Sequence, residues 1–239
     1  MKFLVVITGA SSGIGAAAAR VFSEAGHPLL LVSRRLERME ALDLPNTLSK
    51  SVDVLDVAGF AAAVSEAEEL FGPVDLLINN AGYMNMEHSA QQPPDEWRKQ
   101  FEVNCVGLLN CTSVVFPAMI KRETGTVINI GSTAGRNIYD NHTAYNGTKH
   151  AVHAMSEGLR REGSPHNVRV IIIAPGMVDS ELTSGTSNPQ ILANREIYRE
   201  EIGGALHGAD IARAMLFAYQ QPQNICFWEL VVAPTRQFT

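Results

Sequence analysis

Short apolar runs alternate with stretches of helical spacing along nearly the whole chain. The runs are rich in Val, Ile and Leu, as is typical of strands buried on both faces. They cover residues 3–8, 28–33, 51–54, 74–79, 126–132, 168–174 and 225–232. Helical spacing covers residues 14–25, 35–41, 57–71, 95–121, 143–161 and 209–220. This alternation predicts an α/β fold with a seven-stranded parallel sheet and helices on both faces.

One domain is expected for residues 1–239, because 46% hydrophobic and 18% charged residues are typical of a compact globule. One stretch interrupts the alternation. Between residues 176 and 208, Ser, Thr, Asn, Pro and Gly break up one or two weak helical patterns. We interpret residues 176–208 as a mobile substrate lid, and call this segment the lid below.

Composition argues against several classes of function. The net charge is −6 without a basic cluster, so nucleic acid is not an expected partner. No apolar stretch reaches the roughly 18 residues of a membrane span, and the first run leads into glycines instead of a cleavage site, so we expect a cytoplasmic protein without a membrane partner. Cys105, Cys111 and Cys226 lack metal-ligand spacing, and no metal site is expected.

A glycine-rich turn, Thr8-Gly-Ala-Ser-Ser-Gly-Ile-Gly15, follows the first apolar run. Glycines permit a tight turn and a close backbone approach to a pyrophosphate, which then rests on the amides that begin the next helix. Such a turn can also be a plain connection, and its spacing differs from G-x-G-x-x-G. Its position after the first strand favours phosphate binding.

The end of the second run carries cations where an acid would indicate NAD(H). Ser33 is followed by Arg34 and Arg35. A carboxylate would receive the ribose hydroxyls of NAD(H), whereas a guanidinium pairs with a 2′-phosphate. Solvated surface arginines are the alternative reading. The pattern predicts NADP(H) as the cofactor.

Polar residues also close the third and fourth predicted strands. Asp53 is expected to close the third and accept a hydrogen bond from the adenine amino group. Asn79-Asn-Ala-Gly82 closes the fourth beside the expected cofactor groove. An Asn-Ala-Gly sequence can equally form an ordinary turn.

Four residues form a candidate catalytic set. Tyr145 and Lys149 are four apart on one helix face, so we expect the ammonium to favour the ionised phenol. Ser132, predicted to end the fifth strand, can hold a substrate oxygen, and Asn104 can anchor a water linking Lys149 to solvent. The Tyr–Lys pair alone occurs by chance on many helices; the four residues in this order after a phosphate turn favour catalysis.

Over nearly its whole length the chain resembles the short-chain dehydrogenase/reductase family. The motifs are the glycine-rich turn, Asn79-Asn-Ala-Gly82, Asn104, Ser132, Tyr145-Asn-Gly-Thr-Lys149 and Pro175-Gly176. The resemblance implies a single-domain Rossmann-type doubly wound fold, with a dinucleotide-binding half over about residues 1–130 and a catalytic and substrate-binding part over about 131–239. Within the family, stretches starting at Gly26, Ala151 and Leu216 resemble bacterial NADPH-binding blue fluorescent proteins.

The resemblance and the strand ends together assign the site residues. The catalytic set is Asn104, Ser132, Tyr145 and Lys149. The cofactor-binding set is Gly9, Ser11, Ser12, Gly13, Ile14, Gly15, Ser33, Arg34, Arg35, Asp53, Val54, Asn80, Ala81, Gly82, Tyr145, Lys149, Pro175, Gly176 and Val178. The substrate pocket is expected to include Tyr83, Met84, His142, Met177, Leu182, Ile191 and Tyr198.

One departure from the family pattern concerns the 2′-phosphate. Many NADP-preferring relatives carry Arg or Lys where this chain has Ser12. The 2′-phosphate must therefore rely on Arg34 and its neighbours, with Arg38 one helical turn onward.

The leading hypothesis is an NADP(H)-dependent oxidoreductase that interconverts a small-molecule carbonyl compound and an alcohol, with Tyr145 as acid and base. A second hypothesis is an NADPH-binding protein that brightens the blue emission of the cofactor with little turnover. A third is a regulator whose lid closes on NADPH and changes a partner surface. The family resemblance and the apolar positions of the two long helices indicate a homotetramer.

Overall fold

The computed structural model describes residues 2–238 and forms one α/β domain around a parallel sheet. The seven strands have the order β3-β2-β1-β4-β5-β6-β7. Their bounds are β1 Leu4–Thr8, β2 Leu29–Ser33, β3 Thr47–Ser51, β4 Val74–Asn79, β5 Gly125–Ile130, β6 Val168–Pro175 and β7 Glu229–Val232. The predicted seven-stranded doubly wound sheet is confirmed.

Helices connect the strands. Their bounds are α1 Gly13–Glu24, α2 Leu36–Glu40, α3 Val57–Phe71, α4 Pro94–Phe101, α5 Gly107–Arg122, α6 Thr143–Gly163, α7 Pro189–Glu201 and α8 Gly208–Tyr219. A π-helical turn, Glu102–Val106, joins α4 to α5. The lid contains a short 3₁₀ turn, Glu181–Thr183, and α7.

The core lies on both faces of the sheet, because successive side chains of a strand point to opposite sides. In β1, Val5 and Ile7 pack with α1 and α8, while Leu4 and Val6 pack with α3 and α5. All five residues of β1 are buried. The continuous apolar runs of the sequence follow from this burial on two faces.

The third strand lies earlier than predicted. Of the run at residues 51–54, only Ser51 belongs to the strand and residues 52–54 lie in the loop after it, whereas β3 is the more polar Thr47–Ser51. Because β3 is an edge strand of the sheet, its side chains are only partly buried and its sequence is not a continuous apolar run. Asp53 therefore lies two residues beyond the strand end. Similarly, β5 ends at Ile130, so Ser132 follows the strand instead of closing it.

The long apolar helix differs from the prediction that no stretch of the chain is long and apolar enough to span a membrane. The continuous helical stretch Pro94–Arg122 is long and apolar enough to span a membrane by length and composition alone. Half of its most apolar window is buried inside the protein. Cys111, Val115 and Met119 belong to the core beneath the sheet, so this stretch packs as a core helix.

Candidate functional site

The glycine-rich turn lies between β1 and α1 at the carboxyl edge of the sheet. Gly9 and Gly13 have φ of +67° and +53°, which glycine adopts without strain. Between residues 2 and 238 no side chain caps the start of α1 at Ser12, so the first amides of the helix are left to bind a ligand. This geometry is suited to binding a phosphate.

The turn is held in place by the end of β4. The Asn80 side chain donates to the Thr8 and Gly9 carbonyls at 2.9 and 3.2 Å. The Asn80 and Ala81 amides donate to the Thr8 hydroxyl at 3.0 and 3.1 Å. These bonds give Asn80 a supporting role for the turn.

The end of β2 places cations beside the turn. Arg35 donates to the Ser11 hydroxyl from Nε and a terminal nitrogen at 3.1 and 2.9 Å, and to the Ser12 hydroxyl at 2.8 Å. The Ser33 hydroxyl donates to Ser11 at 2.8 Å. Arg34 is largely exposed and lies 3.8 Å from Asp53. Of the two predicted arginines, Arg35 is the one whose side chain is hydrogen-bonded to the turn.

One cavity of about 730 Å³ joins these elements. The predicted residues that line it are Gly9, Ser11, Ser12, Gly13, Ile14, Ser33, Arg34, Arg35, Asp53, Val54, Asn80, Ala81, Gly82, Ser132, Tyr145, Lys149, Pro175, Gly176 and Val178. Its size suits an extended ligand of cofactor dimensions.

Gly15 is outside the lining of this cavity, and packing explains the glycine. A Cβ at Gly15 would lie 2.3 Å from the Gly9 carbonyl oxygen and 2.5 Å from the Asn80 side-chain nitrogen. The absence of a side chain therefore lets α1 approach the turn and the end of β4.

Ser132, Tyr145 and Lys149 meet in the wall of the cavity. Tyr145 and Lys149 lie on the first turns of α6, and the Lys149 Nζ is 5.6 Å from the centre of the Tyr145 ring. Both side chains are buried. The Lys149 ammonium donates to the Ile130 carbonyl at 2.7 Å, which fixes the lysine against the end of β5.

The ionisation of Tyr145 differs from the prediction. Burial raises the pKa of Tyr145 to about 12, and hydrogen bonding by the Ser132 side chain opposes this shift. Burial also lowers the pKa of Lys149 to about 8. The expected lowering of the phenol pKa by the ammonium is thus outweighed by the loss of water around both groups. The phenol is held in its neutral form.

Asn104 also lies outside the lining of the cavity. It sits in the π-helical turn, where its side-chain oxygen accepts from the Tyr83 amide at 2.7 Å. Its nitrogen donates to the Tyr83 carbonyl and the Thr148 hydroxyl at 2.9 and 3.1 Å. The side chain of Asn104 therefore supports the wall at Tyr83 and the helix that carries Lys149.

The loop after β6 forms the opposite wall. The Gly176 amide donates to the Val232 carbonyl at 2.9 Å. A Cβ at Gly176 would lie 2.4 Å from the side-chain oxygen of Gln237, which accepts from the Met177 amide at 2.8 Å. Gln237, near the end of the chain, thus positions this loop, a role that the sequence analysis missed.

Residues of the segment 176–208 line one end of the cavity. All seven residues predicted for the substrate pocket line it: Tyr83, Met84, His142, Met177, Leu182, Ile191 and Tyr198. Residues missed by the sequence analysis also line it, among them Glu181, Asn194, Arg195 and Gln237. Apart from the polar spacing of the lid, no sequence signal could have identified them, because each reaches the cavity only through the folded path of its segment.

Metal chemistry has no candidate centre in the part of the chain that the structure describes. There, no three or more His, Cys, Asp or Glu side chains are grouped so that they could hold a metal ion. The hydroxyls, amides and cations of the cavity, which lie beside the carboxylates of Asp53, Asp140 and Glu181, are suited to an organic ligand with phosphates.

Comparison with known proteins agrees with this geometry. An uncharacterized oxidoreductase of Staphylococcus saprophyticus is 36% identical over 98% of this chain and 96% of its own length. The glycine betaine reductase ATRR of Emericella nidulans is 33% identical over 97% of this chain but only 18% of that protein. These names do not support the narrower resemblance to blue fluorescent proteins.

The solved structures that are similar to this chain include two of serine dehydrogenase. A closed form of serine dehydrogenase complexed with NADP⁺ has a TM-score of 0.92 and 29% identity, covering 99% of this chain and 97% of that chain. Serine dehydrogenase from Escherichia coli has a TM-score of 0.86 and 29% identity, covering 99% and 100%. The family model described as short chain dehydrogenase matches residues 4–190. The chain therefore belongs to the short-chain dehydrogenase family of oxidoreductases.

Proposed function

We propose that this protein is an NADP(H)-dependent oxidoreductase that interconverts a carbonyl compound and an alcohol, with Tyr145 as the acid and base. The observation that carries the proposal is the meeting of Tyr145, Ser132 and Lys149 in the same cavity as the glycine-rich turn. A reacting oxygen beside Tyr145 and a phosphate at the turn can then belong to one catalytic complex.

The residues of the cavity fit a dinucleotide with a 2′-phosphate. The free amides at the start of α1 suit the pyrophosphate, and Arg35 beside Ser11 and Ser12 suits the 2′-phosphate. Asp53 and Val54 line the expected adenine end. The serine dehydrogenase relative complexed with NADP⁺ supports the same cofactor.

The proton chemistry follows from burial. With its pKa raised to about 12, Tyr145 holds its proton at neutral pH, which is the protonation state that a donor to a carbonyl oxygen requires. Ser132 is suited to orient that oxygen, and Lys149 to hold a positive charge near the phenolate that remains. NADPH, when bound, supplies the hydride.

Replacement of the acid tests the proposal. We expect Tyr145→Phe to lower turnover by about 10²- to 10⁴-fold, the usual contribution of acid–base catalysis, and to leave NADPH affinity within about twofold, because the hydroxyl is not required for phosphate binding. Turnover is measured as loss of nicotinamide absorbance with a panel of aldehydes and ketones, and affinity by calorimetry.

The matched control is Tyr219→Phe. Tyr219 is outside the lining of the cavity, and its hydroxyl donates to the Asp75 carboxylate. We expect this variant to retain most of the turnover. Turnover by Tyr145→Phe equal to that of the wild type would refute the acid–base role.

The alternative is a protein that binds NADPH and enhances its blue fluorescence with little turnover. The buried, partly apolar pocket at Met84, Met86 and Ile191 favours this possibility, because exclusion of water can brighten a bound fluorophore. A fluorescence titration with NADPH beside the carbonyl panel distinguishes the two. Bright emission without turnover of any carbonyl compound would favour the binding protein.

We further propose a homotetramer, in the cytoplasm, in which residues 1–130 chiefly bind the dinucleotide and residues 131–239 supply catalysis and the substrate pocket. Two separate apolar surfaces support the assembly. One lies at α8 and β7, with Phe217, Trp228 and Val231 exposed, and the other at α4 and α5, with Phe101 and Leu109 exposed. Two different self-pairing surfaces generate a tetramer instead of a dimer.

A further inference from the structure

A carboxylate of the lid is bound to the arginines expected at the 2′-phosphate. Glu181 accepts from Arg35 at 2.8 Å and from Arg38 at 2.8 and 2.9 Å. Glu181 is separated from these arginines by more than 140 residues of chain. The contact therefore joins the lid to the cofactor end of the cavity.

Both arginines donate hydrogen bonds to Glu181, and Arg35 also donates to the glycine-rich turn. Arg35 holds Ser11 and Ser12 with one side of its guanidinium and Glu181 with the other. Arg38 makes its contact from α2. These are the cations that a 2′-phosphate would use, and a carboxylate now neutralises them.

Glu181 lies directly over the turn. It begins the 3₁₀ turn Glu181–Thr183, which the Ser180 hydroxyl caps by accepting from the Leu182 amide. A Cβ at Gly13 would lie 3.2 Å from the Ser180 Cβ, so this part of the lid rests on the phosphate site. The next residue, Leu182, packs against the group that includes Tyr145. One short turn thus contacts both ends of the cavity.

The contact is exchangeable. The side chains of Arg35, Arg38 and Glu181 are 41%, 45% and 50% exposed, so water and ligands can reach them. Ion pairs of this exposure contribute little to stability, because water screens them. A phosphate has a larger negative charge and more acceptor oxygens than a carboxylate, and pairs with guanidinium groups in a bidentate manner.

We propose that Glu181 is an internal competitor of the cofactor 2′-phosphate, which displaces it from Arg35 and Arg38 and so releases the first turn of the lid. This inference rests on the proposed NADP(H) function. Because NAD(H) has no 2′-phosphate, it leaves the contact closed. Glu181 therefore couples recognition of the 2′-phosphate to the position of the lid.

Binding of adenosine 2′,5′-bisphosphate tests the competition, because this compound carries the 2′-phosphate without the nicotinamide. We expect Glu181→Gln to tighten its binding by about 3- to 10-fold, as the loss of two exposed ion pairs implies. Binding of AMP should change by less than about twofold. The control is Glu201→Gln, which removes an exposed lid carboxylate at the end of α7 and should leave both affinities unchanged.

Hydrogen exchange of residues 178–184 tests the release of the lid. We expect adenosine 2′,5′-bisphosphate to accelerate exchange in the wild type, AMP to have no effect, and Glu181→Gln to exchange quickly without ligand. Unchanged or weaker binding of the bisphosphate by Glu181→Gln would overturn the proposal, as would equal exchange in all states.

The result for the wild type with NADPH separates the two proposals. If the wild type binds NADPH and Glu181→Gln binds it equally, the competition fails and the proposed function stands. If neither protein binds NADPH, the proposed NADP(H) function fails and the competition fails with it. If only Glu181→Gln binds NADPH, the competition is supported in its strongest form.

Discussion

At the scale of single residues, burial decides the chemistry of the candidate site. The sequence predicted that Lys149 would lower the pKa of Tyr145, since opposite charges favour ionisation. In the structure both side chains are withdrawn from water, which raises the pKa of the tyrosine and lowers that of the lysine. Spacing along a helix identified the pair, but the directions of the two pKa shifts depended on burial, which excludes water from both side chains.

The lowered pKa of Lys149 makes stability depend on pH. Between about 8 and 10.5, the unfolded chain retains a proton that the folded protein has lost, so the free energy of unfolding rises with pH. Relative to Lys149→Met, we expect the wild type to gain about 2 kcal/mol between pH 7.5 and 9.5. Urea unfolding at several pH values measures this difference.

The control for this prediction is Lys121→Met, which removes an exposed lysine at the end of α5. Its unfolding free energy should follow the pH dependence of the wild type. If the unfolding free energies of the wild type and Lys149→Met changed in parallel with pH, burial would not lower the pKa of Lys149. Unfolded tyrosine begins to titrate near the top of this range, but Tyr145 is present in both proteins, so its contribution cancels in the comparison with Lys149→Met.

At the scale of elements, apolar periodicity predicted the central strands and most helices within one or two residues. The failures occurred where burial was incomplete or the helix irregular. The edge strand β3 has a polar sequence because only part of its surface is covered. The π-helical turn that carries Asn104 interrupts an otherwise continuous helical pattern, and its apolar spacing does not reveal it.

The close packing of the glycine-rich turn against the start of α1 can be tested by substitution at Gly15. Gly15→Ala would place a Cβ against the Gly9 carbonyl, which is backbone and cannot rotate away. We expect NADPH affinity to fall by at least about tenfold and the free energy of unfolding by about 1–3 kcal/mol, as in other overpacked sites. Calorimetry and urea unfolding measure the two effects.

The matched helical control is Gly158→Ala in α6. No neighbouring atom within the described residues lies within 4 Å of the Cβ it would add. Alanine is the better helix former, so this variant should be more stable by about 0.5–1 kcal/mol with unchanged NADPH affinity. Similar losses in both variants would show that the close approach at Gly15 is not the cause.

At the scale of the whole molecule, apolar side chains on one edge of the sheet indicate an interface. β7 is an edge strand with Val231 53% exposed, and Phe217 of the neighbouring helix is 54% exposed. Exposed apolar edges favour association. The proposed homotetramer would cover this surface and the one at α4 and α5.

Phe217→Asp tests the assembly. A charge at the centre of the α8 and β7 surface should divide the tetramer into dimers, because desolvating a carboxylate there outweighs the apolar contact. Sedimentation velocity measures the mass. Leu70→Asp, on an equally exposed position of α3, should leave the tetramer intact. A wild-type monomer, or a tetramer unaffected by Phe217→Asp, would contradict the proposed arrangement.

The sequence alone determined the parallel α/β architecture, the position of the glycine-rich turn after the first strand, and most of the residues that were predicted to meet and do line the cavity. It could do so because strands buried on two faces and a tight turn each require a local pattern of residues that can be recognised in the sequence. The tertiary structure alone decided the raised pKa of Tyr145, the support of the turn by Asn80, and the contact of Glu181 with Arg35. These depend on distances between segments far apart in the chain, which folding sets and local patterns do not record.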